Sequence, residues 1–153
     1  MQDVCPRLNL DEYKTKRNFG KTSEPKGAQE KSSGDTYLIQ KHNARHLHYD
    51  LRLEMDGVLK SWAIPKEPPT SAGVRRLAVQ VEDHPLSYAV FEGIIPEGEY
   101  GAGTVEVWDN GTYRTVDRKE DKVVIEIEGN KLTGSYVLVR LKDKKNWLFF
   151  KKK

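Results

Sequence analysis

Polar and apolar residues alternate without exception from residue 46 to residue 55. One parity is polar and the other is apolar, with His46, His48, Asp50, Arg52 and Glu54 against Leu47, Tyr49, Leu51, Leu53 and Met55. A period of two is typical of a β-strand that packs one face on a core. Same-face side chains of a strand lie about 6.5–7 Å apart, so we expect imidazoles, a carboxylate and a guanidinium in a row along one polar face.

Runs of β-type composition cover most of the chain beyond residue 35. They predict strands at residues 36–41, 46–55, 59–64, 76–82, 89–92, 104–107, 111–115, 123–128, 134–140 and 146–151. Asp56-Gly57 and Asn110-Gly111 are two-residue sequences typical of tight hairpin turns. About ten short strands without a long helical period predict an all-β fold, an antiparallel barrel or a closed sandwich.

A second polar face is predicted on the strand at residues 76–82. Its residues alternate again, with apolar Leu77, Val79 and Val81 against polar Arg76, Gln80, Glu82 and His84. A proline follows His84 and ends the strand, because proline cannot continue the hydrogen-bonded ladder. If the two polar faces line one groove, we expect that groove to hold His42, His48, Asp50, Arg52, Arg76, His84 and Tyr88.

The chain divides in two near residue 35. Residues 1–35 are polar, rich in Lys, Glu, Ser and Gly, and show no sustained apolar period. Such a composition is compatible with disorder, although a short helix fits residues 10–17 and turns fit residues 24–27 and 32–35. We therefore expect an N-terminal segment at 1–35 and a single β-barrel domain at 36–153.

Composition and charge narrow the class of protein. A chain of 153 residues allows one domain, no stretch approaches the ~20 apolar residues of a membrane span, and no apolar signal region is present at the N-terminus. The single cysteine, Cys5, cannot form an internal disulfide, so we expect a cytoplasmic protein without a membrane partner. The net charge of +3 is too small to identify a polyanionic partner, but Lys144, Lys145 and residues 151–153 make the C-terminus basic. These lysines fit either a solubilising tail or a nucleic-acid contact.

The residue types of the predicted groove point to a metal ion and an anion. Two imidazoles and a carboxylate, without a thiolate, suit a catalytic Mn²⁺ or Zn²⁺ with open coordination positions. Arginines supply planar donors that match phosphate or carboxylate. A metal ion beside guanidinium groups is suited to the hydrolysis of a phosphate ester.

The main alternative interpretation of the sequence is another kind of β-barrel, a metal-binding cupin. The first cupin motif pairs His-x-His with a glutamate four or five residues later, but His46-x-His48 is followed at those positions by Arg52 and Leu53. Residues 96–100 resemble the second cupin motif, but Gly101 stands where its histidine would be. Cupin chemistry is therefore disfavoured.

Longer motifs run almost without a break through residues 40–105. They are QKH at 40–42, LHYDLRLE at 47–54, KSWAIPK at 60–66, RLAV at 76–79, VEDHPL at 81–86, FEGIIP at 91–96 and GEYGAGTV at 98–105. Together they resemble the 3′-phosphoesterase domain of bacterial DNA ligase D and its free-standing archaeal and bacterial relatives, over about residues 37–115. Residues 10–25 resemble that family's N-terminal segment, and residues beyond about 120 match it mainly in pattern.

The resemblance implies a β-barrel enzyme with its active site in a surface groove. Such enzymes trim the 3′ ends of DNA primer-templates, removing a terminal ribonucleoside and then the 3′-phosphate to leave a 3′-OH, in nonhomologous end joining. The resemblance implies a divalent cofactor, manganese (Mn²⁺) or a similar ion such as Zn²⁺ or Co²⁺. By the family pattern, the ligands of the metal are His42, His48 and Asp50.

The resemblance also implies roles for other residues. Arg52 would bind the scissile phosphate, and His84 would contact that phosphate and act as general acid, supported by Tyr88. Basic residues that match phosphate- or strand-binding positions are Lys66 and Arg76. Residues that match the functional N-terminal motif are Arg17 and Glu24.

The chain departs from the family pattern in two respects. Many members carry an acidic residue directly after the N-terminal arginine, where this chain has Asn18, so a second, weaker metal position near Glu24 is in doubt. No ligase or polymerase domain accompanies the chain, which predicts separate ligase, polymerase and end-binding partners or an origin in a larger protein. The alternative function is a non-catalytic barrel that binds a nucleic-acid end through its terminal phosphate.

Several other polar and aromatic residues are expected to have structural roles. We expect His46 at the rim of the groove, and Glu82 is equally compatible with orienting a metal-bound histidine or with no role in the chemistry. The three tryptophans, Trp62, Trp108 and Trp147, are expected to pack in the core or at its rim rather than to stack on bases.

Overall fold

A computed structural model describes residues 10–25 and 34–153. Within them, nine antiparallel strands form one sheet: β1 Thr36–Asn43, β2 Leu47–Met55, β3 Val58–Ile64, β4 Arg75–His84, β5 Gly93–Ile95, β6 Gly103–Lys119, β7 Lys122–Gly129, β8 Thr133–Arg140 and β9 Asn146–Lys151. The order β1-β2-β3-β4-β9-β8-β7-β6 closes through β1–β6 pairing, and β5 adds to the start of β6. The prediction of a single antiparallel β-barrel is confirmed.

In residues 10–25 and 34–153, two short helices flank the strands. The first, α1, spans Asp11–Thr15, and a 3₁₀ helix spans Leu86–Val90. The 3₁₀ helix includes the first two residues of the region predicted as a strand at 89–92, and the next strand begins only at Gly93, so that prediction was wrong. No helix in the described part of the chain is long and apolar enough to cross a membrane. The turns expected at 24–27 and 32–35 lie partly outside the described residues, and Cys5 lies wholly outside them.

One of the two predicted hairpin turns is confirmed. Asp56 and Gly57 have φ angles of 56° and 82° between β2 and β3, as the tightest hairpins require. Asn110-Gly111 was wrong as a turn, because both residues lie inside the long strand β6. At Gly111, an added Cβ would lie 2.0 Å from the Glu128 carbonyl oxygen, so glycine is needed there for close backbone approach rather than for a turn. The chain reverses instead after Lys119.

The strand β4 faces the opposite way from the sequence prediction. Val81 lies opposite Ser61, which lies opposite Arg52, and opposed residues of an antiparallel pair point to the same side. Val79 and Val81 therefore lie on the outer face with Arg52, and the barrel interior receives Ala78. A bulge then places two residues of β4 opposite Lys60, after which His84 lies opposite Leu59. The bulge returns His84 to the outer face, so the predicted polar parity of β4 was wrong but the placement of His84 was right.

Two apolar clusters stabilise the fold. The larger fills the barrel and includes Trp62 and Trp147, whose ring centroids lie 5.8 Å apart, with Trp108 packed against its edge. The three tryptophans therefore pack as expected. The smaller cluster lies outside the barrel wall and is formed by Tyr13, Leu38, Leu59, Tyr88, Phe91, Ile95 and Val105. Through Tyr13, the helix α1 covers one side of the barrel.

Candidate active site

A cleft of about 220 Å³ opens between the outer face of β2–β4, the N-terminal segment and the loop before β6. Its polar lining consists of Arg17, His42, His48, Asp50, Arg52, Glu82, His84, Tyr88 and Tyr100. The strand β2 supplies His48, Asp50 and Arg52 from one face, as its alternation predicts. The face is not solvated, however, because Asp50 and Arg52 are only 5% and 3% exposed.

Three side chains on β1 and β2 converge as a candidate metal site. His42 lies directly opposite His48, and Asp50 is the next residue of β2 on the same face. Ligand atoms of the three residues lie within 4.8 Å of one another. The Asp50 carboxylate is 3.6 Å from His42 Nδ1 and 3.3 Å from His48 Nε2. Two nitrogens and a carboxylate around one point match the donor set of a catalytic transition-metal ion.

Backbone carbonyls fix both imidazoles in orientations suited to metal binding. His42 Nε2 lies 2.6 Å from the Gly101 carbonyl oxygen, and His48 Nδ1 lies 3.0 Å from that of His46. A carbonyl only accepts, so in the neutral rings these nitrogens carry the proton and the nitrogens that face Asp50 keep their lone pairs. Gly101 has a φ of 76°, and an added Cβ would lie 3.3 Å from the His42 ring. The three inward acceptors need a cation or a proton between them, and the residues present therefore fit a divalent metal.

The charges around Asp50 keep its carboxylate ionised. Burial alone would raise the pKa of Asp50. Hydrogen bonds from His42 and His48, which these rings donate when a proton instead of a metal ion lies between the three side chains, and the charge of Arg52 hold that pKa well below its ordinary value. Burial lowers the pKa of His48, and the hydrogen bond and charge of Asp50 reverse this effect and raise it overall. An ionised carboxylate is the form that binds a metal ion.

The guanidinium of Arg52 is fixed beside this cluster. Its Nε donates to Gln40 Oε1 at 2.6 Å, its Nη1 donates to Ser61 Oγ at 2.8 Å, and its Nη2 lies 3.6 Å from Asp50 Oδ2. Gln40 is in turn held by donating to the carbonyls of Tyr88 and Phe91 at 2.9 Å. Hydrogen bonds thus fix the Nε and Nη1 groups of Arg52. The remaining N–H groups of the planar guanidinium are left to bind a ligand in the cleft.

The N-terminal segment contributes a second buried arginine. Arg17 Nε donates to Glu24 Oε2 at 2.9 Å, and Nη1 donates to Glu82 Oε2 at 3.1 Å. Glu24 also accepts from Thr22 Oγ1 at 3.0 Å and from the Tyr88 hydroxyl at 2.6 Å. These side chains tie residues 17–24 to β4 and the 3₁₀ helix. The structure thus brings Arg17 to the cleft, with Glu24 as its buried partner.

His84 is a buried neutral imidazole within this group. Its Nδ1 lies 3.0 Å from the Glu82 carbonyl oxygen and its Nε2 lies 3.3 Å from Arg17 Nη2. Because arginine only donates, Nε2 is the acceptor and Nδ1 carries the proton. Burial, followed by the charges of Arg52 and Arg17, holds the pKa of His84 well below its ordinary value.

Tyr88 packs between the two halves of the cleft. Its ring centroid lies 4.6 Å from that of His84 and 4.8 Å from the Arg52 guanidinium carbon. Burial raises the pKa of Tyr88, as does the neighbouring Glu24. The hydroxyl therefore stays protonated and donates to Glu24, while the ring supports the guanidinium and the imidazole.

Other residues named from the sequence lie away from the cleft. Lys66 is exposed beyond the end of β3, and Arg76 donates from Nε to the Glu67 carbonyl at 2.8 Å; neither lines the cleft. The exposed Asn18 accepts from Gly20 N at 3.0 Å and does not reach the ligand cluster. His46 is exposed and contributes its carbonyl, as its expected position at the rim allows.

Sequence reasoning missed two residues that hold the site together and left open the role of a third, Glu82. Gln40 and Ser61 are fully buried supports of Arg52, and Glu82 supports Arg17 rather than a metal-bound histidine. The sequence did hold a local indication for Gln40. It lies two residues before His42 on β1, so its side chain is expected on the same face of the strand. For Ser61 and Glu82 the signal lies in the register of β3 with β2 and β4, which a single sequence does not show.

The barrel and cleft define a protein with a three-ligand candidate metal site beside two buried arginines, an arrangement suited to chemistry on an anionic ester. Comparison with known families gives the class more closely. The model of the DNA ligase D 3′-phosphoesterase domain matches residues 40–140. The chain therefore belongs to the DNA ligase D 3′-phosphoesterase domain family.

Individual relatives agree with this membership. The multifunctional non-homologous end joining DNA repair protein LigD of Mycobacterium tuberculosis is 46% identical over 152 residues, which cover 90% of this chain. The LigD proteins of Pseudomonas aeruginosa and Mycolicibacterium smegmatis are 49% and 44% identical over 86% and 91% of the chain. The chain spans only 16–20% of the length of these relatives, which are much larger proteins.

Proposed function

We propose that this chain is a metal-dependent phosphoesterase that processes DNA 3′ ends, removing a terminal ribonucleoside and then the 3′-phosphate to leave a 3′-OH. One observation carries the proposal: a His-His-Asp cluster with ligand atoms within 4.8 Å lies beside Arg52, whose Nη2 is 3.6 Å from Asp50. A site for a cation directly beside a site for an anion is what phosphate ester hydrolysis requires. Family membership supports the same reaction class.

The cluster fits manganese or a similar divalent ion, with Zn²⁺ and Co²⁺ as alternatives, held by His42, His48 and Asp50. When bound, such an ion would polarise a phosphoryl oxygen and lower the pKa of a water ligand. The protein's part is to keep Asp50 ionised, to which the charge of Arg52 contributes, and to direct one nitrogen of each imidazole toward the ion. Hydrogen bonds to the carbonyls of Gly101 and His46 hold a ring proton on the outer nitrogens, so the inward nitrogens offer lone pairs to a metal ion.

Arg52 would bind the phosphate in the cleft. Gln40 and Ser61 already occupy two of its donor groups, so the guanidinium does not need to reorganise when the substrate arrives. Charge that develops on the phosphoryl oxygens would meet a fixed cation in a water-poor cleft, where such stabilisation is strongest.

His84 would act on the departing oxygen. In the ligand-free protein its Nε2 is an unprotonated acceptor that faces Arg17. A bound phosphate would offset the positive charges of Arg17 and Arg52, which lower the pKa of His84. Protonation of Nε2 would then accompany substrate binding, and the imidazolium would donate to the leaving group.

The names of the relatives place those proteins in non-homologous end joining. We infer the same process for this chain, in the cytoplasm, with DNA primer-template 3′ ends as substrate. Ligase, polymerase and end-binding functions would be supplied by separate proteins or by other parts of a longer chain. The substrates that the cleft would bind are DNA ends that carry a 3′-phosphate or a 3′-ribonucleotide.

A two-substrate assay tests the proposal. Chelator-treated protein is incubated with a primer-template ending in a 3′-phosphate, or in a single 3′-ribonucleotide, with and without added Mn²⁺. We expect both ends to be trimmed to a 3′-OH only with the metal, and Asp50→Asn to trim neither. Asp56→Asn is the matched control, because Asp56 lies on the exposed β2–β3 turn at a φ of 56°, which asparagine tolerates. Binding of the 3′-phosphate end without turnover would instead favour a non-catalytic end-binding barrel.

A further inference from the structure

A second cavity continues from the cleft along the outer face of β4. It has a volume of about 320 Å³ and shares Val81, Glu82 and Tyr100 with the cleft. Its far end is formed by Val79 and by the turn between β8 and β9, which contributes Lys144 and Lys145. We call this cavity the β4 groove.

The two lysines of the turn are exposed cations without an ion pair among the described residues. Lys16, at the boundary of the β4 groove and the cleft, is already bound to Glu12 at 3.1 Å and Glu82 at 3.2 Å. Lys144 and Lys145 form no such pair, so their charge is available to a ligand. The unpaired positive charge of the β4 groove therefore lies at its far end, away from the cleft, and an anion can bind there.

The turn holds these lysines in a defined place. The Lys145 carbonyl accepts from Gln80 N at 2.8 Å, which extends the ladder between β4 and β9 into the turn. Asp143 Oδ1 accepts from Asn146 N at 3.0 Å, and Lys144 has a φ of 66°. Because the backbone of the turn is fixed at both ends, Lys144 and Lys145 are both held at the β4 groove. Binding of a ligand there would cost little backbone entropy.

The floor of the β4 groove is apolar, and its near end holds Tyr100 among the charged side chains of Glu12, Lys16 and Glu82. Val79 and Val81 form the floor on the outer face of β4, and Tyr100 is 46% exposed beside them. Lys16 Nζ lies 4.7 Å from the centre of the Tyr100 ring. An exposed aromatic ring in the same cavity as two unpaired lysines is a combination with which proteins hold single-stranded nucleic acid, through stacking and phosphate contacts.

We propose that the β4 groove binds the DNA strand that leads to the reacting 3′ end, with Lys144 and Lys145 contacting its backbone phosphates and Tyr100 contacting a base or sugar. The proposal rests on the proposed function, since the strand must continue from the terminal phosphate in the cleft. Continuity with the cleft and the charge of the turn both favour this occupant. It assigns a strand-binding role to the β8–β9 turn, whereas Lys66 and Arg76 line neither the cleft nor the β4 groove.

The test compares two double variants. Lys144→Asn/Lys145→Gln removes the proposed contacts, and asparagine tolerates the positive φ at residue 144. Lys122→Gln/Lys142→Gln is the matched control, because both lysines are exposed and neither lines the β4 groove, although Lys142 lies on the same turn. Each protein is assayed with Mn²⁺ on a 3′-phosphate primer-template and on a nucleoside 3′-phosphate, over a range of KCl concentrations.

For the groove variant we expect a KM on primer-template roughly fivefold above wild type, from two exposed charge contacts. The slope of log kcat/KM against log salt should become shallower by about 1.5. Its kcat and its turnover of nucleoside 3′-phosphate should match wild type, as should all parameters of the control variant. Wild-type KM and salt slope in the groove variant would overturn the proposal for the β4 groove alone. Failure of wild-type protein to trim the primer-template would overturn the proposed function.

Discussion

Replacement of Arg52 by lysine removes the shape of the guanidinium but keeps its charge. Arg52 makes two buried hydrogen bonds, to Gln40 at 2.6 Å and Ser61 at 2.8 Å, and approaches Asp50 at 3.6 Å. An ammonium on a flexible stem cannot make the same contacts in one plane. The variant therefore leaves the Gln40 side-chain oxygen without its donor in a fully buried environment.

The lost contacts set the expected size of two effects, on the free energy of unfolding and on kcat. Loss of a charge-assisted hydrogen bond in a buried site costs about 1.5–3 kcal/mol, so we expect the free energy of unfolding to fall by roughly 2 kcal/mol. Loss of a preorganised donor at a developing charge lowers kcat about 100- to 1,000-fold. Metal binding should be little changed, because all three ligands remain. The catalytic loss is thus larger than the loss of stability.

The assay measures kcat on a 3′-phosphate primer-template, Mn²⁺ affinity by calorimetry and unfolding by urea. Arg118→Lys is the matched control, since Arg118 makes a two-point contact with Asp56, at 3.2 and 2.8 Å, on the exposed surface. We expect that control to lose less than about 1 kcal/mol and no activity. A kcat near wild type in Arg52→Lys, with manganese bound, would refute the role given to the guanidinium.

Three further predictions concern the N-terminal segment and His84. Glu24→Gln should cost about 3 kcal/mol in unfolding free energy and at least tenfold in kcat/KM. Arg17 and Tyr88 donate to the same carboxylate oxygen of Glu24, and a neutral amide removes the charge that balances Arg17. Glu120→Gln, at an 86% exposed side chain, should change neither quantity, and unchanged activity in Glu24→Gln would contradict the role given to this pair. Because the pKa of His84 is lowered, the unfolded chain takes up a proton below about pH 6.5 that the folded protein does not, so stability falls as pH drops below 6.5. His84→Asn should make that dependence shallower by up to about 1.4 kcal/mol per pH unit, measured by urea unfolding at pH 5.5–7.5, and an equal slope in the two proteins would refute it. Asn18→Asp should keep kcat within twofold of wild type, because the Asn18 side chain caps Gly20 N outside the cleft; a large gain would indicate that this residue reaches the metal.

The alternation along β2 predicted the site better than it predicted its surroundings. Polar residues at every second position place His48, Asp50 and Arg52 on one face, and the strand does so. The alternation does not show how far this face is covered, and in the structure Asp50 and Arg52 are buried. Residues 10–25 and the 3₁₀ helix cover this face of β2. Because they are distant in sequence, the periodicity of β2 alone cannot predict that they bury it.

The errors in the sequence prediction share a physical origin in strand pairing. On β4, apolar Val79 and Val81 point outward, and a bulge before His84 changes the parity. At Asn110-Gly111, a turn-type dipeptide lies inside β6, where Asp109 accepts from the backbone N–H groups of Asn130, Lys131 and Leu132. Both features depend on which strand lies alongside, and a local pattern cannot show that.

The N-terminal segment shows what composition alone misses. Its polar residues suggested a segment without a core, yet Leu10 and Tyr13 are 3% and 0% exposed. The side chain of Arg17 is 4% exposed in a salt bridge with Glu24. Tyr13 docks on an apolar cluster of the barrel wall, and the contacts of Arg17 and Glu24 with Glu82 and Tyr88 add to this docking. Only the family resemblance indicated Arg17 and Glu24 as functional residues.

The central claim is that one metal ion at His42, His48 and Asp50 supports removal of the 3′-phosphate. The most direct test measures phosphate release from a 3′-phosphate primer-template while Mn²⁺ bound per chain is counted in the same titration. The account predicts that activity rises in proportion to bound manganese up to about one ion per chain, and that Asp50→Asn neither binds the ion nor releases phosphate. Full phosphate release without bound metal, or wild-type manganese binding by Asp50→Asn, would contradict it.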